Sequence, residues 1–268
     1  MNAVRTLRPW KSRNQEQMNS RITAIALVAL GMVTGCSDPA LETEHDIDSI
    51  GEAYAGQDMN LVGHWRFDTC TNNVVPNEQG TWGAANLLNG ASCTAGVFDN
   101  AGTFDGIDDR AEIPYDARLD FTSSMTVSAW VKPTSIAAPQ TIVGKWYGPD
   151  SYLLWLSNGY YRFSLALKDG TRPVVTAPAT AGVYSEVVGT FDGSTVKLYV
   201  NGTLMSSATA VGTLQTSTRP VTIGNHPSWN AFSGQIDEVK LLGVANSQPR
   251  TGPTHCAACN PPASCCDP

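Results

Sequence analysis

The feature that most constrains this chain is a series of short alternating apolar runs separated by glycine-containing turn dipeptides. In Thr126-Val127-Ser128-Ala129-Trp130-Val131 and Val196-Lys197-Leu198-Tyr199-Val200, polar and apolar side chains exchange faces at every residue. Period-two alternation belongs to strands with one buried face. Asn158-Gly159, Asp192-Gly193 and Asn201-Gly202 tolerate the positive φ that tight hairpins need. Further strand-like runs are expected at Leu61–Phe67, Gly96–Phe104, Arg110–Pro114, Thr141–Lys145, Tyr152–Leu156, Tyr161–Leu167, Val183–Phe191, Val221–Gly224 and Gln235–Leu241. No helical stripe of comparable length occurs outside the N-terminus. A dozen or so short antiparallel strands predict an all-β, two-sheet sandwich or jelly roll. Only 15% of residues are charged, and 24 are glycine, which suits an exported β domain. A net charge of −7 excludes a nucleic-acid binder, which needs clustered Lys and Arg against phosphate.

The N-terminus carries an export signal. Ile22 to Val33 is a twelve-residue apolar run behind Arg21, too short for a bilayer span of about 20 residues and of signal-peptide length. Val33-Thr34-Gly35-Cys36 resembles the lipobox of bacterial lipoproteins, which implies cleavage after residue 35 and lipidation of Cys36. Ser37 in place of Asp implies, by the same resemblance, sorting to the outer membrane of a Gram-negative cell. Met18 is a second start-like methionine. Removing residues 1–35 takes away five basic side chains and one acidic one. The mature chain then has 12 Lys+Arg against 23 Asp+Glu, a net charge of −11. Seven of those acids lie in residues 37–60 without a Lys or Arg, so 36–60 is expected to be a lipid-anchored, self-repelling tether.

With Cys36 on the lipid, six cysteines remain. An even number in an exported chain predicts disulfides. Cys70 and Cys93 flank one loop, and their pairing would staple it. Cys256, Cys259, Cys265 and Cys266 crowd into a tail over residues 244–268. There the expectation is two disulfides, with each of the adjacent pair reaching Cys256 or Cys259. The competing reading is a metal knuckle using His255 and four thiols.

Six pieces follow in order along the 61–243 domain: His64-Trp65-Arg66-Phe67-Asp68, Gly102-Thr103-Phe104-Asp105-Gly106-Ile107-Asp108-Asp109, Met125 to Lys132, Gly189 to Gly202, Ile223-Gly224 and Phe232 to Lys240. Together they resemble the laminin G-like, concanavalin A-like jelly roll of bacterial exported proteins. Tyr184 and Glu186 depart from it, standing where Trp and His are frequent. Asp105, Asp108 and Asp109 crowd one turn, and the resemblance implies that Asp237 lies near them. Hard carboxylate oxygens on a loop are the ligand set of Ca²⁺, so these four are the candidate structural calcium ligands.

Catalysis has no visible machinery. Hydrolases of this fold carry Glu, Asp and Glu at alternate positions of one strand, which puts three carboxylates on one face. In Gln235-Ile236-Asp237-Glu238-Val239, strict alternation leaves Asp237 alone and points Glu238 the other way. No Gly-x-Ser-x-Gly elbow occurs, and His64, His226 and His255 lack an obvious nucleophile. Candidate ligand contacts are the loop aromatics Trp146, Tyr147, Tyr160 and Trp229, whose rings can stack on sugar faces. Tyr161 belongs with this group, while Trp65, Trp130 and Trp155 are expected in the core and Trp82 is ambiguous. The expected function is noncatalytic recognition of a glycan or surface protein at the cell surface. The alternatives are a polysaccharide hydrolase or lyase with an unrecognised site, and a structural envelope or adhesion protein.

Overall fold

The computed structural model describes residues 60–148, 150–226 and 231–246. Cys36, the tether, Trp229, His255 and the four tail cysteines lie outside them. In chain order the strands are β1 (Leu61–Trp65), β2 (Val74–Val75), β3 (Ala85–Leu88), β4 (Ser92–Ala95), β5 (Asn100–Asp105) and β6 (Arg110–Ile113). After a 3₁₀ turn at Ala117–Leu119 come β7 (Met125–Pro133), β8 (Gln140–Trp146), β9 (Asp150–Ser157), β10 (Tyr160–Leu165) and β11 (Val174–Pro178). The last five are β12 (Ser185–Phe191), β13 (Thr195–Val200), β14 (Thr203–Thr209), β15 (Val221–Ile223) and β16 (Ser233–Leu242).

These form two eight-stranded antiparallel sheets. The first runs β14-β13-β12-β7-β16-β5-β4, with β1 also paired to β16; the second runs β11-β10-β9-β8-β15-β6-β3-β2. The architecture is the expected two-sheet jelly-roll sandwich. Every strand-like run of the sequence became a strand. The expected hairpins also formed, with φ of 51° and 80° at Asn158-Gly159 and 50° and 74° at Asn201-Gly202. Five strands were not foreseen: β2, β3, β4, β11 and β14.

Alternation explains the core. Met125, Val127, Ala129 and Val131 of β7 face Tyr152, Leu154 and Leu156 of β9 and Tyr161, Phe163 and Leu165 of β10, all fully buried. Trp65 is core as expected, its indole N–H donating to the Gly83 carbonyl at 2.8 Å. Tyr161 is core and not a loop contact, because it shares the inward parity of Phe163. Trp130 and Trp155 are only partly buried and fall on outward faces, since their neighbours Ala129, Val131, Leu154 and Leu156 take the inward positions. Cys70 and Cys93 form the expected disulfide, 23 residues apart. A loop of that size stabilises the fold by about 3 kcal/mol through the unfolded chain.

The sheets approach so closely that one inward position admits only glycine. A Cβ on Gly189 would sit 2.4 Å from the Phe163 ring. Gly189→Ala should therefore destabilise the domain by about 1–3 kcal/mol through overpacking. A urea midpoint equal to that of the unsubstituted protein would count against this packing.

Candidate functional site

Three polar constellations sit on this scaffold. The first is the turn that follows β5. Asp105 Oδ1 accepts from Ile107 N at 2.8 Å, and Asp109 Oδ2 accepts from Asp105 N at 2.9 Å. Asn89 Nδ2 holds the Asp108 carbonyl at 3.0 Å. These bonds bring carboxylate oxygens of Asp105, Asp108 and Asp109 within 4.8 Å of one another. Asp109 is buried, and its Oδ1 has no hydrogen-bond partner among the described residues. Burial pushes its carboxyl above the usual range, and the charges of Asp105 and Asp108 add to the shift against the Asp105 N–H. Three clustered acids with an orphan buried oxygen fit a hard cation. Asp237 does not join them. Ser233 is the residue opposite Asp105, and Asp237 lies four residues further along β16, about 13 Å away at strand rise.

The second constellation lies on the outward side of the first sheet, around Asp237. In register, Asp237 lies opposite Trp130, and Trp130 lies opposite Glu186. The register of β16 shifts between Asp237 and Lys240, and Glu238 sits at φ 50°. This bulge breaks the alternation, so Glu238 points the same way as Asp237 instead of opposing it. Glu238 gathers His64 Nε2 at 2.7 Å, Arg66 Nε at 3.1 Å and Lys240 Nζ at 3.3 Å. Burial raises its carboxyl, but His64, Lys240 and Arg66 outweigh that and hold it down at about 2. Asp237 is fully buried. Burial raises it to about 7, with the Glu238 and Asp68 charges pushing the same way and the Phe98 and Glu238 backbone N–H groups opposing. Phe98 closes over the spot, edge-on to Trp130 at 5.6 Å between centroids. Two carboxyls pushed apart in this way resemble an acid/base pair. Here, however, the oxygens of Glu238 are taken by His64, Arg66 and Lys240, and Asp237 is sealed from solvent. The strand bulge that assembles the pair has no signature in the local sequence.

The third constellation is the rim at one end of the second sheet. Strand β8 ends at Trp146, β15 begins at Val221 and β6 ends at Ile113, with Val221 opposite Ile113 and Thr222 opposite Gly144. Trp146 and the exposed Tyr147 therefore emerge beside Arg219 and Tyr115. Asp150 opens β9 opposite Trp146 and accepts from Arg172 Nη1 at 2.6 Å. His226 packs edge-on to Tyr147 at 5.6 Å, and its Nε2–H donates to the Trp146 carbonyl. Burial lowers the His226 pKa against that bond. Tyr160 is exposed but begins β10 at the far end of the β9–β10 hairpin, about 20 Å from Trp146 at strand rise. The structure thus brings Trp146 and Tyr147 together and leaves Tyr160 apart. Arg172 and Arg219 escaped the sequence reading because they sit in irregular segments with no periodic signal.

With this geometry in hand, residues 105–250 match the Laminin_G_3 model of the concanavalin A-like lectin/glucanases superfamily. The chain belongs to that family. Among solved structures it is similar to domain 4 of AbnA, a GH43 extracellular arabinanase from Geobacillus stearothermophilus, in complex with arabinotriose. The identity is 20% with a TM-score of 0.57, over 69% of this chain and 93% of that one. It is also similar to the binding domain of Paraclostridial Mosquitocidal Protein 1, at 13% identity and TM-score 0.59, over 70% of this chain. The botulinum neurotoxin serotype D binding domain matches at 13% and 0.60, over 73%. This chain spans about half of each toxin domain, 50% in both cases. No curated protein matches the sequence.

Asp237 makes stability depend on pH. Its folded value of about 7 exceeds the unfolded 3.8, so its contribution is complete below about pH 4 and is lost as pH rises through about 7. Asp237→Asn cannot ionise. Urea denaturation at pH 5 and pH 8 should show the unsubstituted protein losing more stability between the two than the variant. Equal losses would mean that Asp237 does not titrate in this window.

Proposed function

We propose that this chain is a noncatalytic recognition module that binds carbohydrate at the cell surface through the rim bearing Trp146 and Tyr147. The observation that carries the reading is the pair of partly exposed rings held at the end of a rigid sheet, where a sugar face can stack without ordering a loop. The similar arabinanase domain in complex with arabinotriose supports a glycan as ligand. Recognition of a surface protein is the alternative, supported by the similar toxin binding domains. The Val33-Thr34-Gly35-Cys36 segment supports export and lipidation at Cys36, and Ser37 after it supports sorting to the outer membrane. The acidic 36–60 tether would then hold the domain away from the lipid on Cys36, which anchors the chain without spanning the bilayer. Screening the protein on a glycan array should reveal a carbohydrate ligand, and Trp146→Ala and Tyr147→Ala should each weaken binding by about tenfold. An array with no ligand above background would sink the carbohydrate reading.

We further propose that Asp105, Asp108 and Asp109 hold a structural Ca²⁺, with backbone carbonyls and water completing the shell. The orphan Oδ1 of Asp109 supports this, since a buried carboxylate oxygen is costly without a partner. Calcium should raise the melting temperature, and a chelator should lower it, by linkage to the folded state. Identical melting curves with calcium and with chelator would remove the ion from the account.

A further inference from the structure

The rings of the rim are not bare. Arg118 Cζ lies 4.3 Å from the Trp82 centroid, Lys145 Nζ 4.9 Å from Tyr115, Arg172 Cζ 5.2 Å from Trp146 and Arg219 Cζ 4.8 Å from Tyr147. Trp82 precedes β3, whose Asn86 lies opposite Glu112 of β6, so this ring stands at the same end of the second sheet as the other three. Four of the six cation–ring pairs among the described residues are therefore gathered on one rim. In a chain of net charge −7, the question is which of these cations is left without a carboxylate.

Three of the four cations are balanced locally. Arg118 pairs with Asp116 at 3.2 Å, Lys145 with Asp120, and Arg172 with Asp150 at 2.6 Å. Arg219 is the exception. It is exposed, lies over the ring of Tyr147, and has no ion pair among the described residues. Its backbone N–H is tied to Ser217 Oγ at 3.2 Å, which fixes the start of its side chain. A guanidinium laid on a ring loses part of its hydration and is restricted in plane, while its N–H edge stays free to meet an acceptor. Carboxylate and sulfate groups match that edge with two parallel bonds. A neutral sugar offers no group that uses the charge.

Building on the carbohydrate reading above, we propose that the rim takes an acidic polysaccharide. Arg219 receives a carboxylate or sulfate group of one residue while Tyr147 and Trp146 flank the ring. Arg172, which gives one N–H to Asp150 and carries others, stands beside them. An acidic chain is repelled by most of this protein's surface, so the encounter depends on this one basic spot and is strongly screened by salt.

The test uses the full protein in affinity electrophoresis with polygalacturonate, dextran sulfate and neutral arabinan, at 0.1 M and 1 M salt. The expected result is retention by polygalacturonate, by dextran sulfate or by both, with the arm that binds telling carboxylate from sulfate. Arg219→Gln should weaken that binding by about tenfold, Arg219→Lys should fall between, and 1 M salt should abolish it. Melting temperatures should stay unchanged, because Arg219 is exposed. Retention by an acidic polymer that Arg219→Gln leaves intact would overturn the proposal. Retention by arabinan alone, indifferent to salt, would overturn it while leaving carbohydrate recognition standing. Failure to bind any of the three, together with an empty glycan array, would overturn both.

Discussion

The carboxylate of Glu238 is the interaction on which the domain's closure depends. It receives His64 and Arg66, which lie 174 and 172 residues earlier in the chain, and Lys240 from its own strand. Through it the first strand is locked to the last, and β16 at the same time pairs with β7 and β5 in the centre of the first sheet. A single buried acid whose oxygens meet His64, Arg66 and Lys240 overcomes its desolvation because each oxygen is engaged. Left without them, the same carboxylate would be a buried, unpaired charge. The neighbouring Asp237 shows the contrast: among the described residues it accepts backbone N–H groups, and its burial raises its carboxyl pKa.

That closure leaves different surfaces on the two sheets. The outward side of the first is occupied by its own chain, with Phe98 over Trp130 and Thr126 hydrogen-bonded to the segment after β16. The rim of the second presents rings and guanidinium groups to solvent. Binding chemistry therefore gathers at strand ends, where irregular segments from β6, β8, β9, β11 and β15 meet. Strand middles are consumed by packing, while strand ends are not, which is why loops on rigid scaffolds carry recognition.

Legibility followed burial. The eleven runs that stood out in the sequence are mostly strands with a buried face, where the pleat imposes alternation. Four of the five missed strands, β2, β4, β11 and β14, are the outer edges of the two sheets. Strands β4 and β14 bury little, as the exposed Ser92, Thr94, Ala95, Leu204 and Met205 show, so no period is enforced on them, while β11 alternates over only five residues. The fifth, β3, is only four residues long. The site divided in the same way. Asp105, Asp108 and Asp109 were visible because one turn joins them. Asp237 was misplaced because its neighbours Trp130, Phe98 and Asp68 come from distant parts of the chain, and the bulge at Glu238 reversed the facing that alternation implied.

The sequence by itself determined the class of fold, its hairpins, the Cys70–Cys93 staple and the acidic turn, all of which arise from neighbours in the chain or from the two-residue period of a strand. Only the tertiary structure decided that Glu238 faces with Asp237, that Trp130 and Trp155 stand outside the core, and that Arg172 and Arg219 lie over Trp146 and Tyr147. Those facts depend on register and on where loops return. Contacts between residues dozens of positions apart are set by the packing of whole sheets, and no local pattern encodes them.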